Sequence, residues 1–286
     1  MTATVVVLMD DVIQVAVGHP GKHPKITQLY SKNVITTGSN FGPWQAALAE
    51  LWGEYNLPKK HIRVVLPSDS TIMNISAIGD TKKPTMDRLS QEVATKRGEQ
   101  DSIIDHMLFG RNKIGQQLVL SAACGQKDLE KYVQMFEKLD MSIDSITIPT
   151  ACLMKLQNNL PQFKAETCIW LAFEDYNVTT IVLDGGTYHY SGRNHVFSEP
   201  GTNDFGVEVT RNVSGTLQFW AAGNQDGRSI QRLYFSGCSD DNFWICRDGL
   251  KDLGLDVMPL ENQNTVRLPD ECHLRDWIYC VGAMMD

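Results

Sequence analysis

Several residues in this chain could do chemistry, but none has the neighbours that would make it work. Asp184-Gly-Gly-Thr187 could bring backbone N–H groups and a hydroxyl to a phosphate. Asp-Gly between two alternating apolar runs is, however, the stronger signature of a tight hairpin turn. Gly18-His-Pro-Gly-Lys22 is too short for a Walker loop and lacks the Ser or Thr that should follow the lysine. Cys238, in Ser236-Gly-Cys-Ser239, falls where a strand should meet a helix; with no histidine near it in sequence, it reads as a small packing residue. The histidines (19, 23, 61, 106, 189, 195 and 273) offer neither a helical pair nor His/Cys ligand spacing, so no metal site is expected. His189 and His195 are expected on a solvated hairpin. Asp240-Asp241 opens a helix, where two acids complement the macrodipole. Trp44, Trp52 and Trp220 fit the apolar stripes of helices better than a stacking platform for bases. The residues alone assign no catalytic, cofactor-binding or metal site.

The elements that would have to position any site follow from periodicity. Short β-branched runs at 4–9, 12–17 and 25–30 read as a three-stranded meander, followed by an amphipathic helix over 43–55 that Pro58 closes off. Next come strands at 61–66 and 71–77, a helix over 84–96, and strands at 102–108 and 117–123. A helix over 126–139, a strand at 142–148 and a short helix opened by Pro149 complete the first half. The plan then restarts with strands at 167–173, 178–183 and 187–191 and a helix carrying Val209, Val213, Leu217 and Trp220. A strand at 230–235, a helix to Leu253, a strand at 255–258 and a last helix from Pro269 to Met284 finish it. The two halves repeat one α/β plan at a distance of about 165 residues, which reads as internal duplication.

Composition narrows the function. With 286 residues, 42% hydrophobic and 21% charged, the chain can bury a sizeable core, and collagen-like or wholly disordered classes are excluded. A formal charge of −8 argues against a general nucleic-acid or anionic-membrane surface while leaving room for a local basic patch. Seven cysteines (124, 152, 168, 238, 246, 272 and 280) form no C-x-x-C pair, so a reducing compartment is expected. The apolar run near the start is far shorter than a signal core or a membrane span.

Segments spread over nearly the whole chain then point to a family. They are Val64-Val-Leu-Pro67 with Ile72 to Ile78, Leu118-Val-Leu-Ser-Ala-Ala123 before the helix over 126–139, and Met141 to Ile148. They continue with the meander 168–193 ending in Ser191-Gly-Arg193, Ile230 to Gly237 leading to Gly249-Leu250 and Leu253-Gly-Leu255, and Tyr279-Cys-Val-Gly-Ala283. In order and spacing the chain resembles the actin-like ATPase superfamily, and within it the PilM-type pilus assembly proteins and the cytoplasmic domain of the type II secretion platform protein.

The resemblance implies an α/β, duplicated actin-like (ribonuclease H-like) two-lobed fold with an inserted β-β-α-β-β subdomain and a deleted helical subdomain. The first lobe would comprise 1–55 and 141–165, the insert 56–140, and the second lobe 166–286, with the final helix returning to the first lobe. It also implies where nucleotide loops should lie, and this sequence departs from each. The first D-x-G-S hairpin is replaced by Leu8-Met-Asp-Asp11, the second D-x-G falls on Ala172-Phe-Glu174, and the adenosine loop falls on Gly237-Cys-Ser-Asp240, keeping one glycine. Two carboxylates at a triphosphate would repel it, so no cofactor is expected.

The implied role is a cytoplasmic scaffold of type IV pilus or type II secretion assembly, without ATP hydrolysis, peripheral at the inner face of the membrane. Its implied partners are the cytoplasmic tail of a membrane-anchored pilus protein and, as a further candidate, the assembly motor ATPase. No nucleic acid and no direct membrane insertion are expected, and a homo-oligomer is allowed. Peptide docking would fall on 56–140 and its junction with the first meander. The rival reading is an ATP-binding or sugar-kinase-like enzyme using Asp184-Gly-Gly-Thr187; a filament member comes third.

Overall fold

The structure is a computed structural model and describes residues 1–34, 41–98, 101–174, 176–223, 227–262 and 264–286. The chain divides into two compact units. One holds Met1–Asn159, Asn264–Glu271 and Tyr279–Asp286; the other holds Leu160–Gln263 and Cys272–Ile278.

The first unit opens with the antiparallel meander β1 (Ala3–Leu8), β2 (Val12–His19) and β3 (Lys25–Asn33). Helix α1 (Gly42–Tyr55) has Pro43 in its first turn and ends at Asn56 in the left-handed region, φ 48°. Strand β4 (Ile62–Val65) then pairs parallel with β1. An excursion follows: β5 (Thr71–Ile78), α2 (Lys83–Arg97), β6 (Ser102–Arg111) and β7 (Gln117–Gly125). Helix α3 (Gln126–Glu137) leads to β8 (Ile143–Thr147), parallel to β4, and to α4 (Pro149–Asn159).

The main sheet runs β3-β2-β1-β4-β8, and the excursion makes a sheet of its own, β5-β7-β6. All six residues of β1 are buried, as a central strand covered on both faces requires. Val6 and Leu8 enter a core with Trp44, Leu48 and Leu51 of α1 and Tyr132, Met135 and Phe136 of α3. On the small sheet, Ile78 and Val119 pack against Met86 and Leu89 of α2.

The second unit repeats this order. β9 (Cys168–Glu174), β10 (Asn177–Asp184) and β11 (Thr187–His195) form the meander, α5 (Asn203–Gly223) crosses over, and β12 (Arg232–Ser236) returns parallel to β9. Helix α6 (Asp240–Asp252) then crosses to β13 (Asp256–Pro259), parallel to β12. The sheet runs β11-β10-β9-β12-β13, strand for strand the order of the first unit's main sheet. Helix α7 (Ile278–Met284) ends the described chain, within the first unit from Tyr279 onward.

Two expectations need correction. The block 56–140 is not one β-β-α-β-β sheet: β4 joins β1 and β8, and α3 buries its stripe in the first core, so only 71–125 stands apart. The last helix does not begin near Pro269. The Asn262 side chain donates to the Cys272 carbonyl and accepts from the Leu274 N–H, and Glu271 adopts φ 66°, so only a short 3-10 turn, Leu274–Asp276, precedes the α-helix that starts at residue 278.

Candidate functional site

Two places could carry function: the loops at the strand ends where the resemblance puts a nucleotide, and a groove within the first unit. In the β1–β2 turn, the Met9 N–H donates to the Val12 carbonyl at 3.1 Å and the Trp44 indole donates to the Met9 carbonyl at 3.0 Å. Asp10 and Asp11 stand exposed at its tip. The turn has no glycine to let a ligand approach its backbone, and its crown is anionic.

In the second meander, Glu174 ends β9 buried, its carboxylate 3.8 Å from the Arg193 guanidinium of β11. Asp175, the other acid of that turn, lies outside the described residues. Ala172 and Phe173 are core residues of β9, the Phe173 ring stacking on Phe235 with centroids 4.6 Å apart.

At the β12–α6 junction Gly237 has φ 76°, and its N–H donates to the Arg275 carbonyl at 2.7 Å. A Cβ there would lie 2.2 Å from the Phe173 carbonyl oxygen. This glycine therefore answers to neighbouring backbone. Ser239 caps α6 by accepting the Asn242 N–H, and Asp240 pairs with Arg275 at 2.7 Å. Burial pushes the Cys238 thiol well above its ordinary value, away from the reactive thiolate.

The Asp184-Gly-Gly-Thr187 turn is a hairpin, as its residues suggest. Gly185 and Gly186 take φ 59° and 80°, their N–H groups donating to Thr167 Oγ1 at 3.0 Å and the Glu166 carbonyl at 2.7 Å. Asp184 accepts from Arg228 at 3.0 Å. Both amides that would cradle a phosphate are bonded within the unit.

His189 and His195 are exposed on β11, while Trp44, Trp52 and Trp220 are buried in the two cores. Among the described residues no group of three or more His, Cys, Asp or Glu could hold a metal ion, and no helix is long and apolar enough to cross a membrane.

A polar relay that sequence reading missed ties α2 to its sheet: His106 meets Ser90 through Nε2 at 2.9 Å and Ser121 through Nδ1 at 2.8 Å. The Ser90 hydroxyl also lies 3.1 Å from the Met86 carbonyl of its own helix, so the relay fastens α2 to β6 and β7.

The groove lies on the face of the small sheet opposite α2. Register pairs Ile103 with Cys124, Asp105 with Ala122 and Met107 with Leu120, and these residues line one wall. Leu66, Ile146 and Ala151 line the other, enclosing about 430 Å³. Two cations stand at one end. Arg63 donates to the Ala283 carbonyl at 3.0 Å and pairs with Asp286, while Lys155 donates to the Met285 carbonyl at 2.7 Å. Strand β6 is an edge of its sheet. An apolar slot beside an edge strand can take an extended peptide, whose backbone the strand would pair and whose side chains the slot would fill.

No protein-family model matches the sequence, and no curated protein matches it. Solved structures do. The type IV pilus biogenesis complex PilM-PilN superposes with TM-score 0.75 at 13% identity, over 99% of this chain and 97% of that one. A Bacteroides thetaiotaomicron protein of unknown function with an actin-like ATPase fold gives 0.61 at 10% identity, over 98% and 95%. The cytoplasmic domain of EpsL, an inner-membrane component of the Vibrio cholerae type II secretion system, gives 0.53 at 9% identity, over 99% and 95%. The chain has the actin-like ATPase fold, as its segment order implied.

Proposed function

We propose that this chain is a docking component of a type IV pilus or type II secretion type of assembly, acting in the cytoplasm beneath a membrane without hydrolysing ATP. The groove is the observation that carries the reading. It is largely apolar and bounded by an edge strand, and it suits an extended segment of a membrane-anchored partner. The likeness in fold to PilM, solved with PilN, and to EpsL supports a partner of that kind.

The loops argue against nucleotide chemistry. Phosphoryl transfer needs metal and phosphate positioning. Here the turn at 9–11 is anionic, Glu174 faces Arg193, and the 185–186 amides are bonded internally. Between β11 and β12 the described residues hold one helix, α5, and we infer that the helices covering a nucleotide in relatives are missing.

A photo-crosslinking residue at Met107, introduced in the native cell, tests the docking. The expected product joins this chain to a protein with one membrane span and a short cytoplasmic segment. Adding Ile103→Asp should abolish it. Crosslinks confined to soluble metabolic enzymes, unaffected by that substitution, would reject the reading.

A further inference from the structure

The small sheet ends in a tip whose charge is opposite to that of the chain as a whole. Register sets Ile78 at the end of β5 and Arg111 at the end of β6 against the same residue, Gln117 of β7. The loop before α2 and the β6–β7 hairpin therefore share one end of the sheet. With the first residue of α2 they carry Lys82, Lys83, Arg111 and Lys113 against Asp80, with Asp87 one turn further along the helix, in a chain of net charge −8. Asp80 also accepts the Lys82 N–H at 3.1 Å and the Thr85 hydroxyl at 2.9 Å.

Ile114 crowns the hairpin with 79% of its surface exposed, and Leu108, further back along β6, is 52% exposed. The crown is held in shape. Arg111 donates to the Gly115 carbonyl at 2.7 Å, and Asn112 bonds Gln116 through both backbone and side chain at 2.9 Å. Ile114 is thus presented on a fixed turn. Lys82 and Lys83 stand at the positive end of α2, whose first turn has no acid, where the helix field disfavours cations. Lys82 reaches only Asp80, at 4.0 Å, and local conflicts of this kind tend to fall at functional places.

Two exposed aliphatic side chains offer too little area for a protein interface, and the tip has no exposed aromatic ring on which bases could stack. Cations at the sheet end that also presents an exposed aliphatic wedge match an anionic bilayer, which takes the charges at its headgroups and the wedge at the tops of its acyl chains. We propose that this tip docks on an anionic lipid surface, with Lys82, Lys83, Arg111 and Lys113 among the headgroups and Ile114 just below them. The contact is independent of the groove and of any partner in it, and would add to a partner's tethering by raising local concentration.

Vesicle flotation of the full chain tests this. Vesicles of equimolar phosphatidylglycerol and phosphatidylcholine should carry the protein at low salt, less as salt rises, whereas phosphatidylcholine alone should not. Each cation near the surface is worth about fivefold, so the triple change Lys82→Gln, Lys83→Gln, Lys113→Gln should cost about a hundredfold in partitioning. Ile114→Ser should cost several-fold. Equal binding to neutral vesicles, no binding to anionic ones at low salt, or undiminished binding by a folded triple variant would overturn the proposal. So would tighter binding to duplex DNA than to vesicles at matched salt, which would reassign the tip to nucleic acid. If the triple variant does not fold, the salt series and the neutral vesicles decide.

Discussion

A Cβ on Gly237 would meet the Phe173 carbonyl oxygen at 2.2 Å, and the residue's φ of 76° is one that side chains resist. Gly237→Ala should therefore cost about 3 kcal/mol in urea unfolding. An unchanged midpoint would mean that the close approach is not part of the folded state. Glu174 makes a similar point about charge. It is buried facing Arg193, so Glu174→Gln removes this ion pair and should cost about 1–3 kcal/mol. Restoring an acidic nucleotide loop at this turn would require first releasing the carboxylate from Arg193. The resemblance read Gly237 as the surviving glycine of an adenosine loop; only the three-dimensional neighbours show that backbone packing accounts for it.

The small sheet joins the first unit at two adjacent points, because Thr71 and Cys124 are paired residues. Replacing 71–125 by a short linker should therefore leave a cooperatively folding protein, detectable by circular dichroism, that has lost one wall of the groove and its partner crosslinks. Non-cooperative melting of that variant would show that β5 to β7 hold the main sheet together. A lighter test is Ile103→Asp, at a side chain already 45% exposed, which should change stability by about 0.5 kcal/mol or less while removing partner binding.

Elements were legible in the sequence where their signal is local. The β-branched runs at 4–9, 12–17 and 25–30 and the stripe of α1 need no distant partner to be read. The assignment of β4 was not legible, because its neighbours β1 and β8 are far away in the chain and pairing is a non-local choice. The last helix was misplaced because Asn262 offers the 272–274 backbone bonds that no periodicity reports. The groove had one overlooked signal. Leu118 to Cys124 is apolar on both faces, whereas α2 covers only one, so the other face needed an occupant.

At the scale of the molecule, the same strand order occurs twice, β3-β2-β1-β4-β8 and β11-β10-β9-β12-β13. Duplication of this kind leaves each unit with its own hairpin turns, and in an actin-like fold those turns are where phosphate would be gripped. In this chain the groups that would do so are bonded elsewhere: the 185 and 186 amides to Thr167 and Glu166, the 237 amide to Arg275, and Glu174 to Arg193. The apolar groove of the first unit, by contrast, is open to a ligand. We propose that the fold has kept its frame and given up its nucleotide. Calorimetric titration of the full chain with Mg-ATP tests it most directly. No heat of binding and no phosphate release are expected; saturable binding at micromolar ATP with turnover would overturn the proposal.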